Sequence, residues 1–188
     1  MPNSEEFQLI YAYLKSGDKK SLDTLIKLYL KPVYNFILRL VGSQKDAEDL
    51  TQETFIKMWR NLKKFNTDKE FKPWVFQIAK NTCFDFFRRK KETSFSELAL
   101  AEEDFDEGNL ADQGQSLGDL FQTKETAEQV NRVLLTLPVI YRTVLVLYFY
   151  QQLNFREIAE TLNESLNTVK SKHRRGLFKL KEMLKKQG

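Results

Sequence analysis

The stretch NFREIAETLNESLNTVKSKHRRGLFKLKEML, residues 154–184, decides the fold of the C-terminal part of the chain. Asn154 and Glu157 have the spacing of a capping box, which predicts a short helix over residues 155–162. Ser165 can cap a second helix, predicted over residues 166–186. A helix, a three-residue turn and a second helix form an arrangement that reads duplex DNA in many proteins.

These two helices are predicted to have an apolar inner side and a polar outer side. Ile158, Ala159 and Leu162 of the first helix can pack against Leu166 and Val169 of the second. Small polar, amide and cationic side chains then face outward, and these groups suit base edges and phosphates in the major groove. They are Asn167, Thr168, Lys170, Ser171, Lys172, Arg174 and Arg175. The alternative is a basic helix that faces only solvent.

The rest of the chain is also predicted to be helical. Apolar residues recur every three or four positions, and strand-like alternation is scarce. Asp18 and Ser43 are predicted helix caps. Pro32 either kinks a helix or divides it in two, and Pro73 suits the first position of a helix that runs to about Arg89. The sequence therefore predicts an all-α fold.

The distribution of charge divides the chain of 188 residues, whose total net charge is +4. Residues 1–91 carry 18 Lys and Arg against 11 Asp and Glu, a net charge of +7. Residues 92–130 carry one basic and 11 acidic residues, a net charge of −10, and residues 131–188 return to +7. We predict two small helical domains, 1–91 and 126–188, joined by a flexible acidic linker at 92–125. Basic domains suit a polyanionic partner, although a solvated surface is the alternative.

Composition argues against several classes of protein. Cys83 is the only cysteine and His173 the only histidine, so neither an internal disulfide nor a zinc site is expected. Both are interpreted as ordinary packing or surface positions, with His173 half-buried. No stretch approaches the roughly 20 apolar residues that a membrane span needs, and the first residues lack the pattern of a signal sequence. A cytoplasmic protein is expected.

Three carboxylates, Asp46, Asp49 and Glu53, share one face of the predicted helix that begins at Ser43. A metal-dependent enzyme is one interpretation. However, the sequence offers no partner histidine for this face and no Gly-rich phosphate loop, so docking on a basic protein surface is favoured. No metal and no catalytic residue are expected.

Aromatic and cationic side chains are interleaved between residues 66 and 91, a composition that suits stacking of unpaired bases. A core role is the alternative, and it is favoured for Phe84 and for either Phe86 or Phe87. Function is favoured for the loop 66–72 and for three residues of the following helix, Trp74, Gln77 and Asn81.

Three stretches together resemble one family. They are KPVYNFILRLVGSQKDAEDLTQETFIKMWRNLKKF (residues 31–65), KPWVFQIAKNTCFDFFRRKK (72–91) and the helix pair at 154–184. They resemble the extracytoplasmic-function (ECF) group of sigma-70-family sigma factors, over about residues 8–91 and 128–185. The resemblance implies a chain that binds core RNA polymerase and directs promoter-specific initiation. It also implies recognition of the minus-thirty-five and minus-ten elements, help in strand opening, no catalysis and no cofactor.

The resemblance implies a role for each matching position. Asp46, Asp49, Gln52 and Glu53 would dock on the clamp helices of the polymerase's largest subunit. The residues implied for the minus-ten element are Asn66, Thr67, Asp68, Lys69, Phe71, Lys72, Trp74, Gln77, Asn81, Arg88 and Arg89. Those implied for the minus-thirty-five element are Arg142, Ser165, Asn167, Thr168, Lys170, Ser171, Lys172, Arg174 and Arg175. Two positions depart from the family: Asn167 stands where many members have Gly, and His173 where an aliphatic residue is common.

The resemblance also implies partners. The second domain would contact the flap of the polymerase's second-largest subunit, and an anti-sigma factor would hold the otherwise monomeric chain near the inner membrane without insertion. The acidic linker is expected to thread the polymerase, because its charge resembles that of a nucleic acid. The rival interpretation is a stand-alone helix-turn-helix repressor or response regulator, which leaves the acidic helix and the rings of the first domain without a role.

Overall fold

The computed structural model describes residues 5–93 and 124–186, and all regular secondary structure in these ranges is helical. Besides a 3₁₀ turn at Leu62–Lys64, the described ranges contain eight α-helices. They are α1 (Glu5–Ser16), α2 (Lys19–Val41), α3 (Gln44–Asn61), α4 (Phe71–Thr93), α5 (Lys124–Thr136), α6 (Val139–Phe149), α7 (Phe155–Leu162) and α8 (Leu166–Lys185). The prediction of an all-α fold is confirmed.

The helices fall into two compact units. Helices α1 to α3, α4 up to Lys90 and the last part of α7 lie in the first unit, while α5, α6, α8 and the first part of α7 lie in the second. Residues 94–123, which make up most of the predicted acidic linker, lie outside the described residues, and the domain boundaries stay a prediction. Both ends of that linker are helical, because α4 continues to Thr93 and α5 begins at Lys124. No helix in the described ranges is long and apolar enough to cross a membrane.

Short-range hydrogen bonds set the helix ends in the first unit. The Asp18 carboxylate accepts from the backbone N–H of Lys20 at 3.1 Å and from the Ser21 hydroxyl at 2.6 Å, which begins α2. The Ser43 hydroxyl accepts from the backbone N–H of Asp46 at 3.3 Å and begins α3. Both predicted caps are confirmed, because each uses a side chain next to the donors that the first turn leaves unpaired.

The predicted position of Pro73 is wrong, and of the two alternatives for Pro32 the division of the helix is excluded. Helix α2 passes through Pro32 as one continuous helix. Helix α4 begins at Phe71, so Pro73 is its third residue and not its first. A first-turn N–H has no acceptor within the helix, and a proline at this position therefore costs no hydrogen bond. The helix also extends past Arg89 to Thr93.

The core of the first unit forms around α2. Phe36 of α2 and Phe76 of α4 meet edge to face, with ring centroids 5.3 Å apart. Tyr29 makes a similar contact with Phe71 at 5.2 Å, and its hydroxyl donates to the Glu6 carboxylate at 3.0 Å. Rings in this geometry add to the free energy gained by burying their area. These contacts hold α1 and α4 against α2.

The core of the second unit joins α5, α6 and α8. Its buried cluster consists of Val130, Val133, Leu134, Leu137, Leu145 and Leu180. Helix α8 approaches α6 closely at Gly176, where an added Cβ would lie 3.2 Å from Tyr141 Cβ and 3.3 Å from Leu145 Cδ1. This close packing fixes the inner side of α8 and thereby determines which of its side chains face outward.

Candidate functional site

Side-chain caps define the helix pair α7 and α8. Asn154 Oδ1 accepts from the backbone N–H groups of Arg156 at 2.9 Å and Glu157 at 3.1 Å. The Glu157 carboxylate accepts in return from the Asn154 N–H at 2.7 Å. Ser165 Oγ accepts from the Thr168 N–H at 3.1 Å and begins α8. The predicted capping box and the predicted helix, turn and helix are confirmed.

The first half of α8 presents a polar and basic face. Val169 is fully buried, which fixes the opposite side of the helix as the outer one. Five predicted residues at this end of the helix are exposed: Ser165, Asn167, Thr168, Lys170 and Arg174. Ser171 and Arg175 are half-buried. Side chains at the start of a helix can reach base edges when that end enters the major groove, so this geometry suits duplex reading.

Lys172 does not belong to this outer face. Its Nζ lies 2.9 Å from Glu164 Oε1 and 3.0 Å from Glu164 Oε2, and only 12% of its side chain is exposed. The lysine therefore holds the carboxylate of the turn between α7 and α8. The predicted contact of Lys172 with DNA is replaced by this role, because the ion pair directs its charge back onto the protein.

Arg142 has a structural contact in place of the predicted phosphate contact. The residue is buried, and its Nη2 donates to the carbonyls of Leu135 at 2.6 Å and Leu137 at 2.7 Å. Burial lowers the pKa of Arg142 to about 10, which leaves it charged near neutral pH. The guanidinium thus donates to carbonyls at the end of α5, where the last turn of a helix leaves carbonyl groups without a donor from the same helix.

His173 is the half-buried packing residue that the sequence predicts. Its ring centroid lies 4.6 Å from that of Tyr148, 5.0 Å from Phe155 and 5.6 Å from Phe149. The Nε2 atom is buried and has no hydrogen-bond partner within the described part of the chain. Burial lowers the pKa of His173 to about 4, so the imidazole is neutral at pH 7.

Part of the acidic face of α3 forms ion pairs with other residues of the chain. Asp49 and Gln52 are exposed, whereas Asp46 and Glu53 are half-buried. Glu53 forms ion pairs with Lys57 at 2.8 Å and with Arg89 at 3.7 Å. Among the described residues, no group of three or more metal-ligating side chains could hold an ion. The carboxylates therefore lie along a helix face and do not converge on a point.

Two apolar side chains on α3 were missed by the sequence reasoning. Ile56 is 47% exposed and Trp59 is 51% exposed. With Asp49 and Gln52 they follow one another at spacings of three, four and three residues, which places all four on one stripe of the helix. We call these four residues the α3 stripe. Their spacing placed them on one face with Asp49 and Gln52, but only the packing of α3 shows that this face is exposed.

The loop before α4 is a tight turn. Asn66 Oδ1 accepts from the Asp68 N–H at 2.9 Å, and the Asn66 carbonyl accepts from the Lys69 N–H at 3.0 Å. Asn66, Asp68 and Lys69 are exposed, and Thr67 is half-buried. An asparagine at the first position of a turn commonly makes this hydrogen bond, so the loop holds its polar groups in a fixed arrangement.

Phe71 does not belong to an exposed surface. It is 5% exposed, and its ring packs against Tyr29 and Phe65 with centroids 5.2 Å and 5.5 Å apart. The predicted DNA contact of Phe71 is therefore corrected to a core role. Trp74 is half-buried and lies on Phe65, with centroids 4.8 Å apart. Phe65 and Phe71 thus form the floor on which the indole of Trp74 is positioned.

The outer side of α4 carries the remaining predicted residues. Trp74, Gln77, Asn81 and Arg88 share one face, because their spacings are three, four and seven residues. Asn81, Arg88 and Arg89 are exposed, while Lys72 and Gln77 are half-buried. Of the rings left open by the sequence, Phe87 is buried, and Phe84 and Phe86 are half-buried. A ring, two amides and cations on one side form a surface suited to single-stranded nucleic acid.

Comparisons with known proteins match both units. The family model Sigma-70 region 2 matches residues 25–93, and the model Sigma-70, region 4 matches residues 127–180. The ECF RNA polymerase sigma factor SigW of Bacillus subtilis (strain 168) is 31% identical over 174 residues, 92% of this chain and 93% of that protein.

Two solved structures share the fold. CnrH in complex with the cytosolic domain of CnrY aligns with a TM-score of 0.71 and 22% identity, over 98% of this chain and 100% of that chain. The sigma factor RpoE in complex with the anti-sigma factor NepR from Bartonella quintana aligns with a TM-score of 0.66 and 24% identity. That alignment covers 88% of this chain and 98% of the other.

Proposed function

This chain belongs to the ECF RNA polymerase sigma factors, and from that premise we propose which of its faces performs each step of promoter recognition. As a sigma factor it binds core RNA polymerase and directs promoter-specific initiation of transcription. We propose that α3 docks on the polymerase, that α8 reads duplex DNA at the minus-thirty-five element and that α4 captures the melted minus-ten strand.

The α3 stripe is the proposed docking face for the clamp helices of the largest subunit. Asp49 and Gln52 offer acceptors for cations and backbone groups of the partner. Ile56 and Trp59 supply the apolar area that stable interfaces have at their centre. Asp46 and Glu53 lie at the edge of the stripe and favour a basic partner.

The outer side of α4 and the turn before it form the proposed strand-capture surface. Trp74 presents a ring on a buried aromatic floor, Gln77 and Asn81 can pair with base edges, and Arg88 and Arg89 suit phosphates. Asn66, Thr67, Asp68, Lys69 and Lys72 complete this surface. Because unpaired bases exist only in melted DNA, binding here stabilises the open state relative to the duplex.

The start of α8 is the proposed reader of the minus-thirty-five element. Asn167 and Thr168 suit base edges, while Lys170 and Arg174 suit phosphates. Ser165, Ser171 and Arg175 border this face, whereas Arg142 and Lys172 are left out of it because they bind carbonyls and a carboxylate of the chain itself.

Membership of this family also suggests further partners. The second unit would contact the flap of the second-largest subunit, and an anti-sigma factor would compete for the polymerase-binding surfaces of a chain that is monomeric when free. We propose that the chain acts in the cytoplasm, where polymerase and promoter DNA meet. We also propose that it makes and breaks no bond itself and uses no metal or cofactor.

The observation that carries this proposal is the occurrence, in one chain, of the exposed α3 stripe, an aromatic and cationic face on α4 and a polar, basic face on α8. Run-off transcription with purified core polymerase over a promoter library tests it directly. We expect transcripts from a defined subset of promoters only when the chain is added. Absence of any chain-dependent start site contradicts the proposal.

A matched pair of variants tests the docking face. Trp59→Ala is expected to weaken binding to core polymerase about tenfold or more, since buried aromatic anchors dominate interface energies. Leu30→Ala removes a similarly exposed apolar side chain from α2, outside the stripe, and is expected to leave core affinity unchanged. Equal losses in both variants contradict the assignment of the stripe.

A gel shift separates the proposal from a stand-alone repressor. A repressor binds duplex promoter with high affinity by itself, whereas we expect tight binding only in the presence of core polymerase. Turnover of nucleic acid with Mg²⁺ would favour a metal-dependent enzyme, and none is expected.

A further inference from the structure

A polar link joins α3 to α4 across the first unit. Lys57 Nζ of α3 lies 2.8 Å from Glu53 Oε1, donates to Thr82 Oγ1 of α4 at 3.2 Å, and lies 3.9 Å from Asp85 Oδ2. Thr82 is fully buried. The link therefore ties a surface carboxylate of α3 to the interior side of α4.

The same link extends to two arginines of the proposed strand-capture surface. Arg89 Nη2 lies 3.7 Å from Glu53 Oε2, and Arg88 Nη2 lies 3.6 Å from Asp85 Oδ1. The charges alternate from Arg89 through Glu53, Lys57 and Asp85 to Arg88. Lys57 is the central cation that separates two carboxylates on neighbouring helices.

Lys57 does not point toward the proposed docking partner. At about 100° per residue, it lies roughly 120° around α3 from the centre of the α3 stripe. Loss of its charge would leave Glu53 and Asp85 facing each other as like charges, and Thr82 would lose its donor. Like charges repel, so these two carboxylates would move apart and the arginines paired with them would shift.

We propose that Lys57 is a positioning residue, which sets the strand-capture face of α4 relative to the docking stripe of α3. This inference rests on the proposed function and deepens it. Lys57 touches neither polymerase nor DNA in this scheme. It acts through Asp85, which pairs with Arg88, and through Glu53, which pairs with Arg89. These pairs hold the two arginines at the place where the melted strand passes the docked clamp helices.

The test measures two steps separately in the complete holoenzyme. Core affinity is measured by fluorescence anisotropy, and strand opening by the signal of a fluorescent base in the minus-ten non-template strand. Lys57→Met is expected to change core affinity by less than about twofold, as surface substitutions away from an interface do. It is expected to lower the open-complex constant by about fivefold, the scale of a modest coupling between sites. Lys57→Arg is expected to restore opening.

Lys27→Met is the matched control. Lys27 also pairs with a carboxylate four residues away, Asp23 at 2.6 Å, but both residues lie on α2. This control changes net charge equally and is expected to open promoters like the unaltered chain. An equal defect in the two methionine variants overturns the proposal, as does an equal loss of core affinity and of opening in Lys57→Met.

Thr82→Val keeps the test decisive if Lys57→Met does not fold. The valine conserves shape and removes only the acceptor for Lys57, so a smaller opening defect is expected. The double variant is expected to be no worse than Lys57→Met alone, because the two residues share one contact. Normal opening by Thr82→Val overturns the proposal, and so does a double variant that opens promoters less well than Lys57→Met alone. Failure of the proposed function itself is distinguished by the unaltered chain, which would then start no transcript.

Discussion

The guanidinium of Arg142 lies at the end of α5, where it donates hydrogen bonds to the carbonyls of Leu135 and Leu137. We expect Arg142→Gln to lower the free energy of unfolding by about 3 kcal/mol or more, since each of the two hydrogen bonds from a charged donor contributes roughly 1.5 to 3 kcal/mol. Urea unfolding checks the loss.

Lys170→Gln is the matched control for Arg142→Gln. Lys170 is exposed on α8, so the control is expected to keep stability and to reduce the salt dependence of promoter binding by about one counterion. If Arg142→Gln instead kept full stability and weakened DNA binding, the phosphate contact would be the correct interpretation.

The imidazole of His173 gives the second unit a dependence on pH. Burial lowers its pKa to about 4, so the folded state binds the proton less tightly than the unfolded state. Its contribution to stability is complete above about pH 6.5 and is lost as the pH falls toward 4. We expect the unaltered chain to lose on the order of 1 kcal/mol more than His173→Phe between pH 7 and pH 5.

Because His173 is the only histidine, its titration can be followed by NMR without assignment. A midpoint near 6.5 in the folded protein, or identical pH profiles for the two chains, would contradict this expectation.

At the scale of helices, Ser165 combines two roles. Its hydroxyl caps α8 by accepting from the Thr168 N–H, and it borders the proposed minus-thirty-five surface. Ser165→Ala is expected to cost about 1 kcal/mol of stability, the usual effect of losing a cap. Ser165→Asp preserves a capping acceptor but adds a negative charge beside DNA, so it is expected to keep stability and to weaken promoter binding. Thermal unfolding and promoter binding by holoenzyme distinguish the two, and equal DNA affinity in the aspartate variant would remove Ser165 from the surface.

Helix ends were predictable from sequence because their determinants are local. Asp18, Ser43 and the pair Asn154 and Glu157 each satisfy backbone groups within three residues of themselves. The start of α4 was predicted two residues late, because a proline is tolerated throughout the first turn and not only at its first position.

The direction of individual side chains was less predictable, since it depends on partners far along the chain. From sequence, Phe71 belongs to an aromatic run and Lys172 to a basic helix face, so both were predicted to contact DNA. In the structure, Phe71 packs against Tyr29 and Lys172 forms an ion pair with Glu164. Ile56 and Trp59 were overlooked for the opposite reason. Apolar residues at helical spacing are normally assigned to a core, and only the packing of α3 leaves them outside.

At the scale of the whole chain, charge alternates in three blocks. The two basic blocks each have a net charge of +7, and residues 92–130 between them have −10. Basic surfaces increase the rate and affinity of binding to a polyanion, while an acidic segment is repelled by DNA and attracted to the basic channels that carry it. We therefore expect the intervening segment to compete with nucleic acid for the same basic surfaces of the polymerase.

This competition predicts an effect on early RNA synthesis. Residues 94–123 contain eight acidic residues, and we expect their replacement by serine to lower the yield of abortive transcripts. The reason is that growing RNA would no longer have to displace a polyanion held by the polymerase. Abortive and full-length products are counted on one promoter with equal amounts of holoenzyme. A variant with the same acids in permuted order keeps the charge and is expected to behave like the unaltered chain. An unchanged abortive yield in the serine variant would show that the segment does not lie in the path of the RNA.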